Sequence, residues 1–137
     1  MSEYMLLVYE EEVDAAGQGE RERKLPLFVE LHRSLREAGL LRSFRALRSS
    51  ESATSIRVRG ADTELTDGPF AVTKEVLAGY YLVDCADLEE ALRCAARVPA
   101  AGWGTIEVRP VVPVEDWVET GRRLGLELTD EHRRNLA

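Results

Sequence analysis

Two side chains of this sequence are candidates for acid–base chemistry, His32 and Asp67. A histidine titrates near neutral pH, so His32 is a candidate general acid or base. It also lies on the flank of a helical apolar stripe, between Phe28 and Leu35, where a histidine is more often a partly buried packing residue. Asp67 is a candidate base or ligand-binding carboxylate, or a cap that accepts a hydrogen bond from a backbone N–H just downstream. Each candidate catalytic position therefore has a structural alternative.

Charged residues also occupy the polar positions of two segments that alternate like strands. Arg57 and Arg59 lie in one segment, and Glu107 and Arg109 lie in the other. If these faces share a cavity, they would suit a carboxylate or phosphate ligand, because arginine presents a bidentate fork and three partly compensated cations favour an anion. Lys74 would add a further cation. If the faces point to solvent, the same residues are ordinary strand-face charges.

Composition excludes several classes of function. The 137 residues carry a net charge of −7, whereas a nucleic-acid surface needs clustered Lys and Arg. No apolar run approaches the ~20 residues that cross a bilayer, and the N-terminus enters a strand directly, so a cytoplasmic location is expected. With 2 histidines and no nucleotide-binding or zinc spacing, neither a metal nor another cofactor is predicted. Cys85 and Cys94 lack CxxC spacing and are predicted to be reduced structural thiols.

The elements that must position these side chains follow from periodicity. Residues 3–9 and 77–85 are strands with apolar residues on both faces, which predicts burial on both. A helix is expected to begin near Leu25 and to end before Gly39. Asp87 is expected to cap a second helix. Residues 10–19, acidic and glycine-containing, predict a loop.

Further strands are predicted over residues 54–59 and 104–112, and residues 41–49 could form another. This order predicts an α+β fold of ferredoxin-like type, an antiparallel sheet with two helices on one face. The opposite face would be bare although it carries apolar side chains. A second copy of the same sheet is the simplest cover, so the sequence predicts a homodimer.

The run from Thr66 to Tyr81 contains Asp67-Gly68-Pro69-Phe70, followed by Thr-Lys-Glu and an apolar strand. Asp-Gly favours a tight turn, and Pro69 keeps Gly68 out of the helical region. The run resembles the DGPF signature of the YCII-related family, except that Val72 stands where the family commonly has Glu. Segments across roughly the first 112 residues also resemble the family, whose known dimeric α/β barrel agrees with the pairing inferred above.

The resemblance implies a family domain over residues 1–112 and an extension over 113–137, expected to form short helices packed on the core or on the dimer partner. The enzyme-like branch of the family has a His–Asp pair proposed as catalytic. Counted back from Gly39, that histidine would fall nearer Phe28 than His32, so the pair is not transferred to this chain.

Two functions remain open. The first is a small-molecule-binding protein or enzyme with a pocket near the signature loop and the dimer interface, for which the arginines suggest an anionic ligand. Its predicted ligand-binding residues are Asp67, Gly68, Pro69, Phe70, Lys74, Arg57, Arg59, Glu107 and Arg109. The second is an accessory or regulatory protein, because the resemblance implies a link to extracytoplasmic-function sigma factors.

Overall fold

A computed structural model describes residues 1–13 and 17–136. The strands are β1 Ser2–Glu10, β2 Leu41–Ala46, β3 Thr54–Arg59, β4 Asp62–Asp67, β5 Val76–Cys85 and β6 Thr105–Pro110. The helices are α1 Gln18–Arg23, α2 Leu25–Glu37, α3 Leu88–Arg97, α4 Val114–Arg123 and α5 Asp130–Leu136. Short 3₁₀ turns lie at Ser50–Ser52 and Pro99–Gly102.

Four strands form an antiparallel sheet in the order β2–β5–β1–β6. With α2 after β1 and α3 after β5, the main chain follows the ferredoxin-like β-α-β-β-α-β order. The predicted α+β architecture is therefore confirmed. β3 and β4 form a separate two-stranded hairpin inserted between β2 and β5.

The core lies between this sheet and α2 and α3. Tyr4, Leu6 and Val8 of β1 are buried in register with the buried residues of β5. Leu31 and Leu35 of α2 pack on them, together with the small buried residues of α3. The side chains on the opposite face of the sheet are only half-buried. The predicted burial of both faces of β1 and β5 is therefore not reached within one chain.

The predicted helix boundaries have clear local causes. α2 begins at Leu25 with a proline in its first turn, and Gly39 follows its end with φ of 74°. The Asp87 carboxylate accepts a hydrogen bond from the Glu90 backbone N–H at 2.8 Å. The Glu90 carboxylate in turn accepts one from the Ala86 N–H at 2.9 Å. This reciprocal cap confirms the expected start of α3.

Two elements were not expected from the sequence. The sequence predicts no strand between Arg59 and the signature run, but β4 pairs with β3 through a turn at Gly60, whose φ is 61°. The predicted loop over residues 10–19 is wrong at both ends, because Glu10 closes β1 and Gln18 opens α1. The part of that prediction at positions 14–16 lies outside the described residues.

The C-terminal extension forms α4 and α5. Gly121 of α4 is buried, and a Cβ there would lie 3.2 Å from the Leu126 carbonyl oxygen, so the chain after α4 folds back on it. The Thr129 hydroxyl accepts a hydrogen bond from the His132 N–H at 3.2 Å and caps α5.

The two cysteines are free and buried, as predicted. Burial is the main cause that raises the pKa of the Cys85 thiol to about 12, and it also raises the pKa of Cys94. Since the thiolate is the reactive form, neither is a nucleophile near neutral pH. Over residues 1–13 and 17–136, no helix has the length and apolar character needed to span a membrane.

Candidate functional site

A cavity of about 500 Å³ lies between α1 and α2 on one side and the helix-facing side of the sheet on the other. This volume falls in the range typical of small-molecule sites. Most of its wall is apolar. Its lining comprises Val8, Glu10, Gln18, Arg21, Glu22, Lys24, Leu25, Phe28, Val29, His32, Phe44, Ala46, Ala78, Gly79, Tyr81 and Trp103.

The cavity exists because the sheet is lined with very small residues at this point. Gly79 of β5 is paired with Val8 on one side and with Ala46 on the other. A Cβ on Gly79 would lie 2.6 Å from the Arg45 carbonyl oxygen, closer than real contacts allow. Glycine at position 79 therefore lets the neighbouring strand approach and leaves room above the sheet.

A polar pair lies in the apolar wall of the cavity. The Nε2 atom of His32 is 2.9 Å from the Tyr81 hydroxyl, a hydrogen-bonding distance. The His32 ring also lies against Phe44, with ring centroids 4.3 Å apart. Tyr81 is fully buried, and burial raises the pKa of its hydroxyl far above the ordinary value.

The imidazole of His32 is held in its neutral form near neutral pH. Burial lowers the pKa of His32 below its ordinary value of 6.5, and the nearby Arg36 guanidinium lowers it further. A neutral imidazole can accept or donate a hydrogen bond to a ligand, and it can take up a proton from one.

The mouth of the cavity is bordered by a group of charged and aromatic residues around Glu10. The Glu10 carboxylate accepts a hydrogen bond from the Trp103 indole N–H at 2.8 Å and forms an ion pair with Arg21. The Lys24 ammonium lies 4.2 Å from the centroid of the Trp103 ring, which is a cation–π contact.

Of the residues predicted for the site, His32 lines this cavity and the others lie elsewhere. Asp67 is the exposed last residue of β4, opposite Thr54. Among the described residues no hydrogen bond to its carboxylate is found. The turn is instead held by the backbone N–H of Gly68, whose φ is 98° and which donates to the Ala53 carbonyl at 2.8 Å.

The rest of the signature loop borders a separate, open groove. Pro69 and Lys74 line this groove of about 410 Å³, and Lys74 forms an ion pair with Glu11 at 3.2 Å. Phe70 is 77% exposed, with the Arg57 guanidinium 5.1 Å from its ring centroid. The signature thus shapes the junction between the hairpin and β5, away from the cavity beneath α1 and α2.

The predicted arginine cluster does not form within one chain. Arg57 and Arg59 belong to the β3–β4 hairpin, whereas Glu107 and Arg109 belong to β6 of the main sheet, and the arginines are exposed. Arg109 already forms an ion pair with Glu107. Only a second chain could bring these residues around one ligand.

Sequence reasoning missed Glu10, Tyr81 and Trp103 as site residues. A signal for Glu10 was present, because extending the alternation of Leu6 and Val8 by one step puts a carboxylate on the buried face of β1. A buried charged residue normally has a partner, which makes such a position a candidate for a functional or structural pair.

Within the described ranges 1–13 and 17–136, no group of three or more His, Cys, Asp or Glu side chains is arranged to hold a metal ion. The fold and the cavity together define an α+β protein with a ferredoxin-like sheet and a largely apolar cavity beneath its first helices. The YCII-related domain family matches residues 2–115, and the chain belongs to that family.

A relative is an uncharacterized protein of Rhizobium meliloti (strain 1021). It is 38% identical over 112 residues, which cover 79% of this chain and 90% of the relative. The shared region extends over nearly the whole relative, so the likeness concerns the family domain as a unit.

Proposed function

We propose that this YCII-related protein binds a small molecule in the cavity between α1, α2 and the sheet. The observation that carries the proposal is a cavity of about 500 Å³ with apolar walls and the His32–Tyr81 pair set into them. Apolar walls supply binding energy, while a few polar groups orient the ligand. The ligand we infer has an apolar body and a group that hydrogen-bonds to His32.

A proton-transfer enzyme is the form of this function that would use His32 most fully. Its neutral imidazole is the form that can remove a proton from a bound molecule, and Tyr81 fixes the orientation of the ring. Apolar surroundings would keep water from competing for that proton. If no turnover occurs, the same pair serves as the hydrogen-bonding anchor of a binding protein.

We also infer that the ligand carries a negative charge. This inference depends on Lys24 and not on the arginine cluster predicted from the sequence. Lys24 lines the cavity, and among the described residues it has no carboxylate partner, only the face of Trp103. Of the two acids in the lining, the buried Glu10 is already paired with Arg21, and Glu22 is exposed to solvent. An anionic group at the mouth would therefore meet an ammonium that is free to form an ion pair.

A homodimer is proposed through the open face of the sheet. Apolar side chains of β1 and β5 pair across the middle of this face, and polar residues of β2 and β6 lie along its two edges. An apolar centre with a polar rim is the usual composition of a protein interface. The face comprises Met5, Leu7, Tyr9, Tyr80 and Leu82, with Ser43, Arg45, Glu107 and Arg109 at its edges.

The cavity is tested by filling it. Leu25 lines the cavity and is 60% exposed, while Leu27 on the same helix is 56% exposed and does not line it. Leu25→Trp and Leu27→Trp are thus a matched pair. A thermal-shift screen of small organic acids and their neutral esters should find acids that raise the melting temperature of the parent and of Leu27→Trp, but not of Leu25→Trp.

Equal stabilisation of all three proteins would show that the ligand binds elsewhere. If the esters stabilise the protein as strongly as the acids do, the inference of a negatively charged ligand is wrong. The cavity would still be the binding site.

The accessory function remains the second candidate. The exposed apolar side of the β3–β4 hairpin favours it, since Ile56, Val58 and Leu65 are 63%, 58% and 69% exposed. Contact with a protein linked to extracytoplasmic-function sigma factors would use such a surface, and the family resemblance is what suggests this partner. A folded parent that no compound in the screen stabilises would favour this second function.

A further inference from the structure

Among the described residues, Glu10 is the charged residue that is buried, with 8% of its surface exposed. It lies at the end of β1, on the face that carries Val8 into the cavity. A carboxylate in this position is costly unless its oxygens are paired. Oε2 accepts from the Trp103 indole N–H, and Oε1 accepts from the Arg21 guanidinium.

The two partners of Glu10 come from separate parts of the cavity mouth. Arg21 belongs to α1, which forms the outer edge of the cavity together with Gln18 and Glu22. Trp103 follows the 3₁₀ turn after α3 and forms the facing edge. The single carboxylate therefore draws the two edges of the mouth together.

α1 is a short and exposed helix. It has only 6 residues, none of them buried, and a helix of this length is not stable by itself. Arg23 pairs with Glu20 inside the same helix, so this ion pair does not connect α1 to the body. Among the described residues, the ion pair between Arg21 and Glu10 connects α1 to the sheet.

We propose that Glu10 is a positioning residue that latches α1 as a lid over the cavity. Opening of the Glu10–Arg21 pair would let α1 swing about Lys24, the residue that joins α1 to α2, and would widen the mouth of the cavity. The inference rests on the proposed function, because a lid matters only if the cavity takes a ligand. It adds that one carboxylate sets the width of the cavity mouth.

The test measures lid opening without any ligand, by limited trypsin digestion of the full chain. Cleavage after Lys24 reports opening of α1, and cleavage after Arg93 in α3 reports global unfolding. Glu10→Gln keeps an acceptor for Trp103 but loses the ion pair, and Arg21→Gln breaks the same pair from the exposed side. Both should raise the ratio of Lys24 to Arg93 cleavage roughly three- to tenfold, since Arg21 is 46% exposed and its pair is partly screened.

Glu20→Gln is the matched control, because it removes an ion pair from α1 that does not reach the body. Its cleavage ratio should equal that of the parent. A second readout is acrylamide quenching of Trp103 in a Trp117→Phe background, which should rise in Glu10→Gln and Arg21→Gln alone.

An unchanged cleavage ratio in both Glu10→Gln and Arg21→Gln overturns the latch. So does an increase of the same size in Glu20→Gln. Neither outcome depends on the ligand screen with Leu25→Trp, so failure of the latch and failure of the binding function are distinguished.

Discussion

Tyr81 and His32 connect the middle of the sheet to the first long helix through one hydrogen bond of 2.9 Å between the hydroxyl and Nε2. The two residues are 49 positions apart in the chain and meet in an apolar setting formed with Phe44. This contact orients the titratable group of the cavity, and it is also part of the core.

Tyr81→Phe should destabilise the fold. The substitution removes the hydroxyl, fills the same space and leaves the ring nitrogen of His32 without its partner, at a cost of about 1–3 kcal/mol. Urea unfolding followed by circular dichroism measures the change. Tyr80→Phe is the control, since its hydroxyl makes a weaker contact of 3.4 Å to Ser43; an equal loss in both variants would contradict the importance of the His32 bond.

The stability of the protein should fall as His32 becomes protonated. The pKa of His32 is lowered in the folded chain, mainly by burial, from the ordinary 6.5 that the unfolded chain retains. On acidification the unfolded chain binds the proton first. The stabilisation that comes from keeping His32 neutral is therefore complete above pH 6.5, and it is lost as the pH falls through the lower pKa of the folded chain.

Thermal unfolding between about pH 8 and 5 checks this effect. His32→Gln should show a shallower decrease than the parent, whereas His132→Gln, at the exposed second histidine, controls for loss of an imidazole. A His32→Gln profile parallel to that of the parent would refute the prediction.

Gly79→Ala should destabilise the fold strongly, although it adds only one methyl group. The added methyl would lie 2.6 Å from the Arg45 carbonyl oxygen, so the β2–β5 pairing must shift, at a cost of about 1–3 kcal/mol. Gly102→Ala is the control, because a Cβ there meets nothing within 4 Å. Denaturant midpoints of the two variants give the comparison, and a neutral Gly79→Ala would mean that the strands can separate without loss.

Two aspartates should differ in their effect on stability. Asp87→Ala removes the side-chain cap of α3 and should cost about 0.5–2 kcal/mol, while Asp87→Ser should retain most of the cap. Asp67→Ala, at an exposed position, should change stability by less than about 0.5 kcal/mol. A larger loss from Asp67→Ala than from Asp87→Ala would restore the capping role first considered for Asp67.

The protein should be a dimer of about twice 15.3 kDa in light scattering at micromolar concentration. Leu82→Asp places a charge in the centre of the open sheet face and should give a folded monomer, because an interface of at least ~1,000 Å² would be disrupted. Leu92→Asp, on the exposed side of α3, should leave the mass unchanged. A parent that scatters as a 15.3 kDa species would rule out the pairing.

The sequence by itself determined the elements whose signals are local. The capped start of α3 at Asp87, the end of α2 before Gly39 and the two apolar strands were all readable, because caps, turns and periodicity act over a few residues. The signature at Asp67–Phe70 was enough to indicate the family. β4 and α1 were not readable in this way, since both are polar and exposed and owe little to an apolar pattern.

Only the tertiary structure decided which residues form the cavity. His32 could be named from the sequence, but its partner Tyr81 lies on a strand 49 residues away. Glu10 meets Arg21 and Trp103 because β1, α1 and the turn after α3 converge at one end of the sheet. Such contacts depend on how distant segments pack, and no spacing along the chain encodes that packing directly.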